Sequence, residues 1–240
     1  MKNPWKNLYK DNRYKAVADC DDIKVLEIYN SSRKNKDEIL RLDLPTTNVI
    51  GNIDTCKLMI LLLNPGYSEG DYEDTSSKEF LEALYNRNDF WVLDNKFRET
   101  NTYKWWNQKL AKPVINHFKD LDEEEIRKRL ISSVCCVEYF PYHSKSFNND
   151  LYAIKLPSQD YVFEGLKEAI TRNIPIILAK GKLEFWAYQV NEIYNYTSIF
   201  KTSSTQNSTL SENNLLHKNI EHSNWIKIKS FDVIYNFMLQ

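Results

Sequence analysis

The sequence predicts an α/β fold, a three-layer α/β/α sandwich around a mostly parallel, four-stranded central sheet. Two observations carry that prediction. Short apolar runs stop abruptly at turn residues, as strands buried on both faces of a parallel sheet do. The intervals between them carry helical periodicity, and strands alternating with helices make βαβ units.

The first run is 58–63, Leu-Met-Ile-Leu-Leu-Leu, stopped by Asn64-Pro65-Gly66. The second, 131–140, ends at Pro141, and the third, 174–179, ends at Lys180-Gly181. A weaker run over 197–202 completes the four. Helical patterns cover 76–85, 103–118 with a kink expected at Pro113, 122–130, 159–172 and 183–193. Ahead of them, 1–45 reads as a helical N-terminal extension packed on the domain. Tyr14, Val17, Ala18, Val25, Leu26 and Ile28 have helix-like spacing, and a charged stretch from Arg33 to Glu38 follows. There is no internal repeat and no low-complexity linker, so 1–240 is expected to form a single domain, a length that supports one sizeable core.

Composition narrows the partners. Lys and Arg total 32 against 33 Asp and Glu, so no global positive field announces nucleic acid and any DNA contact must come from a local patch. Residues 1–10 are polar, and no run approaches the roughly 18 apolar residues of a membrane span, so a cytoplasmic protein with no membrane partner is expected. None of the four cysteines falls in a CxxC pair. Cys135 and Cys136, adjacent in a strand, should point to opposite faces, and reduced thiols with neither a metal nor any other cofactor are the expectation. A monomer is expected.

In open parallel sheets ligands sit beyond the carboxyl ends of the strands. That rule selects 64–71, 138–145, 179–182 and 203–211. Pro65-Gly66 after a buried strand makes a tight turn in which Gly66 permits close approach of a ligand, with Asn64 presenting its amide. Glu138 reads equally as a base-contacting carboxylate or as a structural one at a strand end. Tyr139, Phe140 and Tyr142 form an aromatic cluster that is either a stacking platform or core. His143 stands at the ligand end, whereas His117, His217 and His222 look peripheral. Lys180 and Lys182 flank Gly181 as candidates for a DNA backbone. Trp105-Trp106 with Leu110 reads as a helix packing on the core. Acids at 122–125 followed by Arg127-Lys128-Arg129 read as a solvated helix with its charges set to its dipole.

The run ending in Asn64-Pro65-Gly66 resembles the first motif of the uracil-DNA glycosylase superfamily, especially its mismatch-specific branch. Leu44-Pro45 and Gly51-Asn52 look like the family's approach segment. Gln206-Asn207-Ser208-Thr209-Leu210-Ser211 is similar to its second motif, and 176–181 followed by a Trp-containing helix is similar to its third strand. The likeness covers roughly residues 44–215 in order. It implies a monofunctional glycosylase that flips a damaged or modified pyrimidine out of double-stranded DNA and hydrolyses its N-glycosidic bond. Asn64 then positions the attacking water, Gln206 stands at the leaving-group position, Ser208 pinches a phosphate and Leu210 wedges into the vacated stack. Taken together, the two readings expect base contacts from Gly66, Tyr67, Glu138, Phe140 and His143, and DNA contacts from Pro65, Lys180, Lys182, Asn207, Ser208, Leu210 and Ser211.

Three departures matter. Gly66 replaces a tyrosine that excludes C5 substituents in uracil-specific members. Gln206 and Asn207 replace the usual His or Asn and Pro. Glu138 replaces an asparagine that reads the base edge. The first and third point to a C5-modified cytosine, as in foreign DNA, with repair and antiviral defence both open. A free nucleoside or nucleotide N-glycoside hydrolase and a non-catalytic DNA-binding module are the alternatives.

Overall fold

The computed structural model describes residues 3–5, 22–204, 206–219, 221, 223–228 and 230–239. Tyr14, Val17, Ala18, Cys20 and His222 lie outside the described residues. The strands are β1 (Val49–Ile50), β2 (Leu58–Leu62), β3 (Val134–Glu138), β4 (Ile176–Leu178), β5 (Ile199–Thr202), β6 (Leu215–Asn219) and β7 (Asn224–Lys227). They form one mixed seven-stranded sheet in the order β1-β3-β2-β4-β5-β6-β7. The four expected strands are its centre and run parallel to one another. The other three, each antiparallel to its neighbour, extend both edges.

Every residue of β2 is buried, because β3 and β4 hydrogen-bond to its two edges and apolar side chains cover both faces. One layer packs α3 (Lys78–Asn86), α4 (Asn101–Trp106), α5 (Lys112–His117) and α6 (Glu123–Ser133) on Ile60, Leu62 and Cys136, with the short α2 (Gly70–Ser76) against α3 and α4. The other packs α1 (Ile23–Ser31), α7 (Asp160–Thr171) and α8 (Leu183–Gln189) on Met59, Leu61 and Cys135. Cys135 and Cys136 thus face opposite layers, as alternation requires.

Several expectations need correction. The second strand begins at Val134, since residues 131–133 complete the last turn of α6. Arg127 is not on a solvated face: it is buried and bonds Asn107 and Glu123. In α1, Leu26 and Tyr29 face the core while Ile28 is exposed. The helix over 101–117 deviates before Pro113, in a π-helical stretch at Asn107–Ala111. Pro113 has no N–H for the Lys109 carbonyl one turn back, so the helix widens there. The Lys109 carbonyl instead accepts the Leu210 N–H at 2.8 Å, which pins the 203–211 loop against this helix. Among the described residues no helix is long and apolar enough to cross a membrane.

Candidate active site

The chain leaves β2 for β3 on one side, and leaves β4 for β5 on the other. The sheet's topological switch point therefore lies between β2 and β4, where open α/β sheets form a crevice. A cleft of about 300 Å3 opens there. Asn64 enters it from the end of β2, Glu138 from the end of β3 and Lys180 from the end of β4. Trp105 and Trp106 of α4 form the opposite wall.

Asn64 is oriented by distant partners. Its Nδ2 donates to the Tyr142 carbonyl at 3.2 Å, the Pro65 carbonyl at 3.1 Å and Ser144 Oγ at 2.9 Å. Two of these are carbonyls, which only accept, so the amide can be oriented one way only. Among the described residues no donor reaches Oδ1, which is left as an acceptor able to hold a water proton.

Glu138 is 6% exposed, and its Oε2 has no hydrogen-bond partner. Burial pushes its carboxyl up to about 8, against a downward pull from Lys180. At neutral pH it is therefore a carboxylic acid, with one donor and one acceptor, on a residue that lines the cleft. Lys180 lies with Nζ 5.8 Å from the Trp105 ring centre. Gly181, at φ +92° and with a Cβ position 2.4 Å from Leu63, must be glycine for the chain to turn there.

Gly66 differs from expectation. Its φ lies outside the left-handed region, and a Cβ on it would meet nothing within 4 Å. What its missing side chain leaves is open space in the cleft wall. Tyr67 lines that wall, edge-on to Tyr72 at 5.8 Å with the Arg41 guanidinium 4.9 Å from its ring. Pro65 also lines the cleft but is buried in the turn, so it offers no outer surface to a DNA backbone.

His143 lines the cleft, with Nδ1 2.7 Å from the Gly66 carbonyl and Nε2 3.0 Å from the Pro45 carbonyl, so the neutral ring donates to one of them and has the other carbonyl in front of its second nitrogen. Burial lowers its pKa, opposed by the Gly66 carbonyl, Asp71 and the Pro45 carbonyl. The ring ties the Asn64 turn to the Pro45 segment and has no nitrogen left for a base. Phe140 is fully buried in the layer beneath the sheet's other face, against Tyr142, and does not reach the cleft.

The 203–211 loop is the largest correction. Leu210 is 1% exposed within the core and Ser208 is 2% exposed, so neither a wedge nor a phosphate pinch is presented. Gln206 is exposed and does not line the cleft. Asn207 accepts from Thr209 Oγ1 at 2.6 Å and Lys109 Nζ at 3.4 Å, and Ser211 borders a separate depression beside Lys112. None of the loop's described residues lines the cleft. Lys182 is exposed beside Phe185, in a neighbouring cleft that it shares with Lys180.

Trp105, Asn101 and Thr102 line the cleft without a sequence motif to mark them. One signal existed. Successive helical residues are about 100° apart, so of the Trp105-Trp106 pair one ring can enter the core while its neighbour turns to a surface. Trp106 is buried in the core, edge-on to Phe90 at 4.8 Å, with only an edge on the cleft, while the half-buried Trp105 turns more of its ring to it. No protein-family model, curated protein or solved structure matches this chain significantly.

Proposed function

We propose that the chain is a DNA N-glycosylase that hydrolyses the N-glycosidic bond of a flipped pyrimidine, on a uracil-DNA-glycosylase-like fold. The observation that carries the proposal is the pairing, in one cleft, of Asn64 with its acceptor free and Glu138 buried without a partner. A buried polar atom without a partner costs about 1–3 kcal/mol, a cost that a bound ligand edge removes.

The chemistry follows from the residues. Asn64 Oδ1 accepts a hydrogen bond from a water and holds that water for attack on the sugar carbon as the base departs. The carbon–nitrogen bond breaks, the water oxygen bonds the sugar, and the proton it sheds ends on the departing base anion. An amide is too weak a base to take that proton outright, so its contribution is placement and slow turnover is expected. The departing base carries negative charge, which the Lys180 ammonium at the cleft attracts. Protonated Glu138 donates to N3 of a cytosine edge and accepts from N4. Rotating its two oxygens, it also fits a uracil edge. Above the Glu138 pKa of about 8 the carboxylate meets one donor and one lone pair on either edge, N4–H and N3 of cytosine or N3–H and O4 of uracil, so Glu138 weakens its hold on both bases and does not itself discriminate against uracil. The open space at Gly66 supports a substituent at C5 at any pH.

The test is mass spectrometry of bases released from duplexes carrying uracil, hydroxymethylcytosine or glucosylated hydroxymethylcytosine, from pH 6 to 9. Release of a C5-modified cytosine in preference to uracil is expected, with both rates falling above about pH 8 as Glu138 loses its proton. Release of uracil alone would remove the C5 argument, and rates unchanged across that range would remove Glu138 from base recognition. Burial of Leu210 and Ser208 favours a second reading, an N-glycoside hydrolase of free nucleosides or nucleotides, which needs no wedge. Hydrolysis of the monomers but not the duplexes identifies it.

A further inference from the structure

A second, larger cleft of about 650 Å3 runs along the carboxyl ends of β4 and β5 and across β6 and β7. Lys180, Lys182, Lys201 and Lys218 line it, and Glu184 is the one acidic residue in its described lining. Sheet register explains the gathering. Lys201 pairs with Leu216, and Lys218 with Trp225. Paired residues share a face and alternate residues return to it, so Lys201, Lys218 and Trp225 stand on one side of the sheet. Lys201 is diagonal to Lys218, a spacing of about 7–8 Å between their strand positions.

These cations lack partners of opposite sign. Basic residues elsewhere bond carboxylates, as Arg87 does Asp89 at 2.5 Å and Lys167 does Glu164 at 2.6 Å. Among the described residues no carboxylate lies within 4 Å of any of the four lysines in the cleft. Lys218 is mostly buried, with its Nζ on the Tyr194 carbonyl, and Lys201 is half-buried. Burial lowers the pKa of both against a weaker upward pull from Glu184. Gathering desolvated ammonium groups without anions destabilises the fold, and a bound polyanion offsets that.

The form of the cleft narrows the anion. Lys201 Nζ sits 4.5 Å from the Trp225 ring centre and Lys218 Nζ 4.4 Å from that of Tyr194. The rings support ammonium groups, so the cleft offers charge to phosphates in preference to a stacking platform for bases. A concave groove suits a strand better than a flat lipid surface. Lys180 lines this cleft and the Asn64 cleft alike, so the two adjoin at that side chain.

We propose that the lysine cleft holds the phosphodiester backbone of the nucleic-acid strand flanking the nucleotide in the Asn64 cleft. The inference rests on the glycosylase reading for the neighbouring nucleotide, but its test does not need excision. Fluorescence anisotropy of labelled, unmodified single-stranded and duplex DNA is measured over a salt series. Each phosphate neutralised contributes about 0.9 to the slope of log K against log salt for duplex and about 0.7 for single strands. The Lys182→Gln/Lys201→Gln variant should lose about 1.8 from the duplex slope and about 1.4 from the single-strand slope. Lys128→Gln, on α6 and paired with Glu124, should leave both slopes unchanged. Thermal melting checks that each variant folds.

A double variant with the wild-type slope overturns the proposal. So does a wild type that binds no DNA, or one from which polyglutamate displaces DNA as readily as unlabelled DNA does. If no substrate releases a base while the double variant still loses slope, the cleft stands and the glycosylase reading falls.

Discussion

A single amide carries most of the catalytic argument. Asn64 reaches across 78 and 80 residues of sequence to Tyr142 and Ser144, and these contacts fix which of its atoms faces the cleft. Asn64→Ala should cut base release about 100-fold or more, in the range for a lost positioning group. It also leaves the Tyr142 carbonyl without this donor, so a stability loss of about 1–2 kcal/mol should accompany it. Single-turnover release and thermal melting measure the two effects separately, and activity within a few-fold of wild type would remove Asn64 from the mechanism. Glu138 makes a pH prediction. Its folded-state pKa of about 8 stands above the ordinary 4.5, so between those values the folded state binds the extra proton. Wild-type stability should fall as pH rises through that window, by at most about 1.4 kcal/mol per pH unit. Glu138→Gln removes the titration, so the variant should gain on the wild type as pH rises from 5 to 8, read by chemical denaturation. Parallel stability curves for the two proteins would place the carboxyl at its ordinary pKa. Residue identity alone marked Asn64 and Glu138 as strand-end groups. Their partners, or lack of them, came from chain segments far away in sequence.

Among the elements, the 101–117 helix decides what the 203–211 loop can do. Pro113 frees the Lys109 carbonyl, Leu210 N–H takes it, and the Leu210 side chain follows into the core. Leu210→Ala should therefore cost about 2–5 kcal/mol of stability, as a buried leucine truncation does. Any loss of activity should be equal on single-stranded and duplex substrates, since there is no stack for a buried side chain to replace. A selective loss on duplexes with stability intact would restore Leu210 as a wedge. The central strands were legible because burial on both faces demands continuous apolar runs. β1 has only two residues, and β7 (Asn-Trp-Ile-Lys) is largely exposed, so neither carries that signature. Ile131 suited the start of an apolar run and a helix's last turn alike, and α6 took it together with Ser132 and Ser133.

For the molecule as a whole, strand order matters more than any motif. Of the four loops that the carboxyl-end rule selects, those after β2, β3 and β4 contribute Asn64, Glu138 and Lys180 to one cleft, while the one after β5 is bonded to the 101–117 helix and no described residue of it lines that cleft. A net charge of −1 concealed the lysine cleft, because pairing of charges elsewhere cancels it in the sum. Local excess, which the sheet register creates, is what a nucleic acid would sense. The central claim is that the Asn64 cleft hydrolyses an N-glycosidic bond in DNA. It is tested most directly by incubating wild type and Asn64→Ala with duplexes carrying a C5-modified cytosine and measuring free base by mass spectrometry, with strand breaks scored before and after hot alkali. The account predicts free base and alkali-dependent breaks with the wild type, both lost with Asn64→Ala. Immediate strand cleavage, or no base release from any pyrimidine duplex, would contradict it.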